Sequence, residues 1–373
     1  MQQGIPLTAA EIARYQRHLS LPGFGVPAQE RLKAGSVLVI GAGGLGCPAL
    51  LYLAAAGVGR IVIVDDDRVE RSNLQRQILF TEADLEAPKA EAAARRLRAL
   101  NSGLSVEARF ERFSRSNAIA LAGSVDLVID GSDNFPTRYL VNDACVLTGK
   151  PFVYGAIQGF EGQASVFNWE GGPTYRCLFP EPPEPGSVPS CAEGGVLGVL
   201  PGWIGVTQAC EAIKLLAGVG TPLSGRLLIW NALDMAVSTV ILRPDPRSRA
   251  IRELPPEGYA ETCEPSEIPP KRDEIDATEL KRDLANGRLV QLLDVREGWE
   301  RASGSIEPSA HIPLGALEAG RDSAIAGFDR SAPTVVYCAV GVRSLRGIRI
   351  LRERHGFKHA LSLRGGIHAW SGD

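Results

Sequence analysis

Six residues, Gly41-Ala42-Gly43-Gly44-Leu45-Gly46, constrain this chain more than any others. They follow Ser36-Val37-Leu38-Val39-Ile40, a short apolar, β-branched run that reads as a buried strand. Gly41, Gly43 and Gly46 fit G-x-G-x-x-G, a spacing that gives a tight turn, bare backbone beside a phosphate and close helix–strand packing. Leu45 to Ala56 then predicts an apolar helix whose free N–H groups and positive dipole end face an anion. Ile61 to Val64 predicts the next parallel strand, with Asp65 at its C-terminal tip, where a ribose hydroxyl would be held. NAD enzymes and ATP enzymes share this fingerprint, so residues further along must decide between them.

At 373 residues the chain exceeds one typical core, and two domains are expected. A net charge of −3 gives no reason to expect nucleic acid or an anionic membrane as partner. There is no basic-then-apolar leader and no uninterrupted apolar run long enough to span a bilayer, so a cytosolic, cytoplasmic protein is expected. The seven cysteines include no C-x-x-C pair. An odd, scattered set in such a chain predicts free thiols, a few of them reactive, and not disulfides.

Thr8-x-x-Glu11 is a capping box ahead of a helix with Ile12, Tyr15 and Leu19 on one face. Arg14 falls elsewhere on that helix, and periodicity alone makes it part of a solvated face. Beyond Asp65-Asp66-Asp67 lies the polar stretch Arg71-Ser72-Asn73-Leu74-Gln75-Arg76-Gln77, and Pro88-Lys89 then opens an alanine-rich helix with proline at N1. Val125 to Asp130 predicts another buried strand, running into Gly131-Ser132-Asp133-Asn134 before a helix near Pro136. In open α/β sheets ligands sit at C-terminal strand ends, so one crevice can collect the glycine turn, Asp65 and Asp133. The glycine nest with Arg76 and Lys89 suits a triphosphate, and Asp133 suits Mg²⁺, whereas hydride transfer has little use for the cationic pair.

Short β segments are expected from Phe152 to Trp169, then a proline-rich loop from Phe179 to Gly195 carrying Cys191. A largely apolar helix follows from Pro201 to Leu216, and strand-like runs from Leu227 to Leu242. From about residue 246 to 275 apolar periodicity is lost amid Pro, Glu and Arg, which marks a linker. A second α/β unit opens with the cap Asp276-x-x-Glu279, then strands at Leu289–Val295 and Thr334–Tyr337, and a helix from Leu345 to Glu353. Cys338 therefore sits on a short loop between a buried strand and a helix N-terminus, where N–H groups stabilise a thiolate or persulfide anion.

With these residues in hand, two families are recognisable. Residues 1–250 resemble the ThiF/MoeB/HesA family of sulfur-carrier adenylyltransferases, relatives of the ubiquitin-activating enzymes. The matching stretches are Arg14-Tyr15-x-Arg17, the glycine turn, Asp65-x-Asp67, Ser72 to Gln77, Pro88-Lys89, Ser132-Asp133-Asn134, Tyr175 to Leu178 and Ser190-Cys191-Ala192-Glu193. Residues 276–373 resemble a rhodanese domain through Leu293-Asp294-Val295-Arg296, His311-Ile312-Pro313, Cys338-x-x-Gly341-x-Arg343-Ser344 and Leu363-Arg364-Gly365-Gly366-x-x-Ala369-Trp370. Residues 251–275 are left as the linker.

The resemblance implies a Rossmann-like adenylating domain with a mixed sheet, plus a smaller α/β rhodanese-like domain. The implied substrate is the C-terminal Gly-Gly carboxylate of a small ubiquitin-like sulfur-carrier protein, which attacks ATP to give an acyl-adenylate and pyrophosphate. Gly41, Gly43, Gly44, Gly46, Asp67, Asn73 and Asn134 are the implied nucleotide-binding residues beside Asp65, which holds the ribose. Arg76 and Lys89 would hold the phosphates and Asp133 the Mg²⁺. Arg14 would reach in from the second subunit of a homodimer, against its bland periodic reading. Cys338 would carry a persulfide with Arg343 in its loop, charged by thiosulfate or a cysteine desulfurase, and yield a thiocarboxylate. Cys191 would form a covalent link with the carrier.

The chain departs from the first family in one respect. Relatives hold structural zinc on two C-x-x-C pairs, but here only Cys177 remains, with Thr174, Ser248 and Ile251 at the other positions. One thiolate cannot build a tetrahedral site, so no zinc is expected. In the rhodanese-like part, Gly304 to His311 departs from the usual glycine-histidine approach to Ile312-Pro313. Two rival readings are an NAD(P)-dependent oxidoreductase, resting only on G-x-G-x-x-G and Asp65, and a non-catalytic scaffold for a ubiquitin-like partner. The residues do not identify the pathway, whether molybdopterin, thiamine, cysteine, thiolated RNA or a thio-metabolite.

Overall fold

The computed structural model describes residues 4–182, 195–255, 259 and 273–371. It divides into two compact units, Met1–Thr262 and Cys263–Asp373. No helix among the described residues is long and apolar enough to cross a membrane.

The first unit is built on an eight-stranded sheet of β1 (Ser36–Ile40), β2 (Arg60–Val64), β3 (Ser105–Arg109), β4 (Leu127–Asp130), β5 (Phe152–Gln158), β6 (Glu161–Phe167), β7 (Arg226–Asn231) and β8 (Val237–Ile241). Their order is β3-β2-β1-β4-β5-β6-β7-β8, parallel through β5 and antiparallel from β5 to β8. The continuous apolar run of β1 follows from burial on both faces. Val37 and Val39 feed one core with Ile61 and Ile63 of β2, while Leu38 and Ile40 feed the opposite core with Val62 and Val64. Helices Gly46–Ala56 and Leu200–Ala217 supply the first core, and helix Phe135–Thr148 the second.

Local signals fall where the residues predict them. Thr8 and Glu11 close the capping box of helix Ala9–Leu19. Asn134 caps helix Phe135–Thr148 by accepting from the Thr137 N–H at 2.9 Å. Pro88 is the N-cap of helix Lys89–Leu100 and not its first helical residue, because its ψ of 127° keeps it extended. β3 escapes sequence reading, since Ser-Val-Glu-Ala-Arg is an edge strand with only Val106 buried.

The second unit holds five parallel strands, β9 (Glu274–Ile275), β10 (Gln291–Asp294), β11 (Ala310–His311), β12 (Thr334–Tyr337) and β13 (Ala360–Leu363), in the order β11-β10-β12-β13-β9. Alternate residues of β12 again serve two cores, Val336 with Cys338 and Val335 with Tyr337. The helix after Cys338 begins at Val342, three residues earlier than the sequence pattern suggests, with Gly341 (φ 102°) as its N-cap.

Two helical glycines give a controlled test of the packing that seats the first unit's crevice. A Cβ on Gly205 would lie 2.2 Å from the Leu45 carbonyl oxygen, whereas one on Gly202 of the same helix meets nothing within 4 Å. Gly205→Ala should therefore lower the melting temperature, with a cost of roughly 1–3 kcal/mol or more for forced overpacking. Gly202→Ala should be neutral or raise stability by up to about 1 kcal/mol through helix propensity. Equal melting temperatures for the two variants would contradict this packing.

Candidate active sites

A crevice of about 740 Å³ opens at the C-terminal ends of β1, β2 and β4. Of the sequence-predicted nucleotide residues, Gly41, Gly43, Gly44, Asp65, Asp67, Asn73, Arg76, Lys89, Asp133 and Asn134 all line it. Gly46 does not. Its place is structural, because a Cβ there would stand 1.9 Å from the Gly41 carbonyl oxygen. Arg14 lies outside this crevice on an exposed helix face, where Nη1 donates to the Leu100 carbonyl at 3.2 Å.

Asp65 holds the glycine turn as well as facing the crevice. Its Oδ2 accepts from the Ala42 N–H at 2.7 Å and its Oδ1 from the Asp67 N–H at 2.8 Å. Burial pushes its pKa up to about 6, against the pull of those donors and of Lys89. Each carboxylate oxygen retains a lone pair for a ribose hydroxyl. Lys89 is nearly buried and pairs at 2.7 Å with Asp67, whose side chain is mostly exposed. An incoming phosphate competes for that ammonium. Arg76 Nη1 donates to the Ser72 carbonyl at 3.1 Å.

Asp133 is exposed at the mouth of the crevice, and the residue beneath it, Asp130, is fully buried. Asp130 Oδ1 accepts from the Ser132 N–H at 3.0 Å and the Ser132 hydroxyl at 2.6 Å, which shapes the loop that presents Asp133. Burial raises the Asp130 pKa, and the Arg138 guanidinium opposes that rise. Arg138 and Arg112 also line the crevice, two cations that sequence reasoning did not assign to it. Arg138 was legible as the fourth residue after Asn134, one helical turn on. Arg112 follows the unrecognised strand β3 and carried no signal.

In the second unit Cys338 has no exposed surface. Its Sγ accepts from the Gly341 N–H at 3.1 Å and lies 3.6 Å from the Ser344 hydroxyl. Ser344 in turn donates to the Gly341 carbonyl at 2.7 Å, which closes the loop on itself. Gly366 lets the neighbouring turn approach, since a Cβ there would stand 2.4 Å from the Cys338 carbonyl oxygen. Arg343 is gripped by both oxygens of Glu300 at 2.6 and 2.7 Å. Cys191 falls in residues 183–194, outside the described residues.

Residues 15–250 match the ThiF family and residues 276–373 the rhodanese-like domain. The chain belongs to the ThiF family. Its C-terminal unit is a rhodanese-like domain. A probable adenylyltransferase/sulfurtransferase, MoeZ, of Mycobacterium tuberculosis is 47% identical, with 98% of this chain and 94% of the relative covered. The adenylyltransferase and sulfurtransferase MOCS3-1 of Zea mays is 41% identical over 98% of this chain and 83% of its own length. The first unit alone aligns with a sulfur carrier protein adenylyltransferase of Thermus thermophilus at 55% identity, over 64% of this chain and 90% of that protein. Among solved structures, E. coli MccB with MccA-N7isoASN shares the fold at a TM-score of 0.57 and 22% identity, over 63% of this chain and 73% of that one. The protein is an adenylyltransferase and sulfurtransferase, which sets aside the oxidoreductase and scaffold readings.

The elevated pKa of Asp65 predicts how nucleotide binding responds to pH. A ribose hydroxyl on Asp65 would bond the charged carboxylate more strongly than the neutral acid, so affinity should weaken as pH falls through about 6. Titration calorimetry with ATP should show this loss, and Asp65→Asn should flatten it. A wild-type affinity unchanged between pH 7.5 and 5 would remove Asp65 from the ribose site.

Proposed function

We propose that the first unit adenylates the C-terminal glycine of a ubiquitin-like sulfur-carrier protein, and that the rhodanese-like unit then supplies sulfur to give a thiocarboxylate. One observation carries the first half: Lys89 and Arg76 stand with the Gly41–Gly46 turn around one crevice that also presents Asp65 and Asp133. The relative named as a sulfur carrier protein adenylyltransferase supports the choice of substrate.

In this reading the carrier's glycine carboxylate attacks the α-phosphorus of ATP, an acyl–phosphate bond forms, and pyrophosphate departs. Negative charge builds on the phosphate oxygens during that step. Arg76 and Lys89 stabilise it, and the bare N–H groups of Gly43 and Gly44 hold the phosphates without a side chain in the way. Gly41 shapes the turn, Asp65 holds the ribose, and Asn73, Asp67 and Asn134 hold the walls in place. Mg²⁺ carried in with ATP would be held by the Asp133 carboxylate and would offset negative charge on the phosphates, since this ion commonly takes one or two carboxylates plus substrate phosphates.

Cys338 is the sulfur-bearing nucleophile of the second step. The Gly341 N–H that reaches its sulfur favours an anion at that position. A persulfide on Cys338 attacks the acyl-adenylate carbonyl and expels AMP. A second thiolate then attacks the Cys338 sulfur of the acyl-persulfide, the S–S bond breaks, the thiocarboxylate leaves, and the resulting disulfide is reduced by an external thiol to regenerate Cys338. Arg343, held by Glu300, orders the loop. Cys191 is the second thiol that links covalently to the carrier, and Arg14 completes the crevice from the partner subunit of a homodimer. Thiosulfate or a cysteine desulfurase charges Cys338.

The two halves are separable by mutation. Arg76→Ala and Lys89→Ala should each lower carrier-dependent ATP–pyrophosphate exchange by about 100-fold or more while the protein stays folded, the loss expected for a contact made to reacting phosphate. Exchange within threefold of wild type in both variants would overturn the nucleotide assignment. Cys338→Ala should abolish thiocarboxylate formation and keep wild-type exchange. Cys191→Ser should also keep exchange but lose a reductant-sensitive enzyme–carrier adduct on non-reducing gels. An adduct lost only in Cys338→Ala would move that linkage to the rhodanese-like unit.

A further inference from the structure

The resemblance to the sulfur-carrier adenylyltransferases implies zinc on two C-x-x-C pairs, and the two segments at those positions meet here around Cys177. Helix Tyr175–Leu178 supplies Thr174 at its N-cap and Cys177 within it, and the short 3₁₀ turn Pro246–Arg249 supplies Ser248 with Asp245 before it. The donor set does not fit zinc. It contains one thiol and two hydroxyls, and the Asp245 carboxylate is committed to Arg247 at 2.8 Å. No metal-capable group of three or more acidic, His or Cys residues occurs among the described residues.

What the corner contains instead is a closed circuit of hydrogen bonds. The Cys177 S–H donates to the Ser248 hydroxyl oxygen at 3.1 Å, and the Ser248 O–H donates onward to the Asp245 carbonyl at 2.6 Å. The Asp245 and Thr174 backbone N–H groups both donate to the Cys177 sulfur at 3.3 Å, and the Cys177 N–H returns to the Thr174 carbonyl at 3.0 Å. The Thr174 hydroxyl lies 3.7 Å from the same sulfur.

The spacing separates the two alternatives. A sulfur at about 2.3 Å and an oxygen at about 2.1 Å from tetrahedral zinc stand about 3.6 Å apart. Ser248 Oγ lies 3.1 Å from Cys177 Sγ, the separation of a direct hydrogen bond and not of two ligands on one ion.

We propose that this corner is a metal-free thiol clasp, in which Cys177, Thr174, Asp245 and Ser248 fasten the chain after β8 to the adenylating unit in place of zinc. The fastened segment is continued by further anchors. Arg249 Nη2 donates to the Gly172 carbonyl at 2.6 Å, Leu254 is buried in the core, and the Tyr259 hydroxyl donates to the buried carboxylate of Asp143. The clasp is thus the first of several points that lay residues 245–255 and Tyr259 on the first unit.

The test uses the full chain, first equilibrated with zinc chloride and then desalted. Metal analysis should find substoichiometric zinc, and a strong chelator should leave the melting temperature unchanged. One retained zinc per chain, with a melting temperature that falls on chelation, would overturn the proposal. Cys177→Ala should lower the melting temperature by several degrees, because the Asp245 and Thr174 N–H groups lose their acceptor. Cys177→Ser, which keeps both a donor and an acceptor at that point, should recover part of the loss and gives a measurable denaturation midpoint even where Cys177→Ala folds poorly. A wild-type midpoint in both variants would show that the sulfur fastens nothing.

Discussion

The structure of the adenylating unit depends on how closely three backbones approach where β1 and β4 end. A Cβ on Gly41 would lie 2.9 Å from the Gly131 carbonyl oxygen, one on Gly131 would lie 2.9 Å from that of Ile40, and one on Gly46 would lie 1.9 Å from that of Gly41. Only glycine permits all three contacts. They bring the phosphate-facing turn and the loop bearing Ser132, Asp133 and Asn134 to opposite walls of one crevice. The positive φ of Gly41 (87°) turns the chain there, and Asp65 fixes the turn through the Ala42 N–H. The crevice exists because side chains are absent from its seam.

The same physics serves the second unit with a different payload. In both units a buried parallel strand ends, the chain turns through a glycine of positive φ, and a helix begins with N–H groups directed into the turn. In the first, bare glycines leave room for an outside anion. In the second, the turn closes on the protein's own sulfur, with the Gly341 N–H on Cys338. One backbone geometry therefore suits both activation of a carboxylate by phosphate chemistry and delivery of sulfur by a thiol. Each unit also carries a paired cation, Lys89 with Asp67 at the crevice beside Arg76 and Arg343 with Glu300 near the Cys338 loop.

Much of this was legible in the residues, for identifiable reasons. β1, β2, β4 and β12 are buried on both faces and so read as unbroken apolar runs. The Thr8, Asn134 and Asp276 caps announce their helices because the cap itself is a side-chain chemistry. Ten nucleotide-site residues named from motifs line one crevice, since strand-end placement follows from the alternation of strand and helix. What stayed hidden had a different cause. β3 and the two-residue strands β9 and β11 bury too little to leave a pattern, and Arg112 went unseen with β3. Residues 246–255 read as part of a linker because their attachments are mostly polar, through Cys177 and Arg249, and the single buried apolar anchor Leu254 leaves no periodicity. Glu300 reaches Arg343 from forty-three residues away, a pairing that only the folded chain reveals.

The central claim is that activation and sulfur delivery act in series on one carrier carboxylate. It is tested most directly by intact mass spectrometry of a Gly-Gly-ended carrier incubated with the full-length enzyme, a persulfide-generating sulfur donor and ATP or no nucleotide. The account predicts that one oxygen of the terminal carboxylate is exchanged for sulfur only when ATP is present, with the carrier adenylate accumulating when the donor is left out. Sulfur incorporation without ATP, or adenylate that never converts when the donor is supplied, would contradict it.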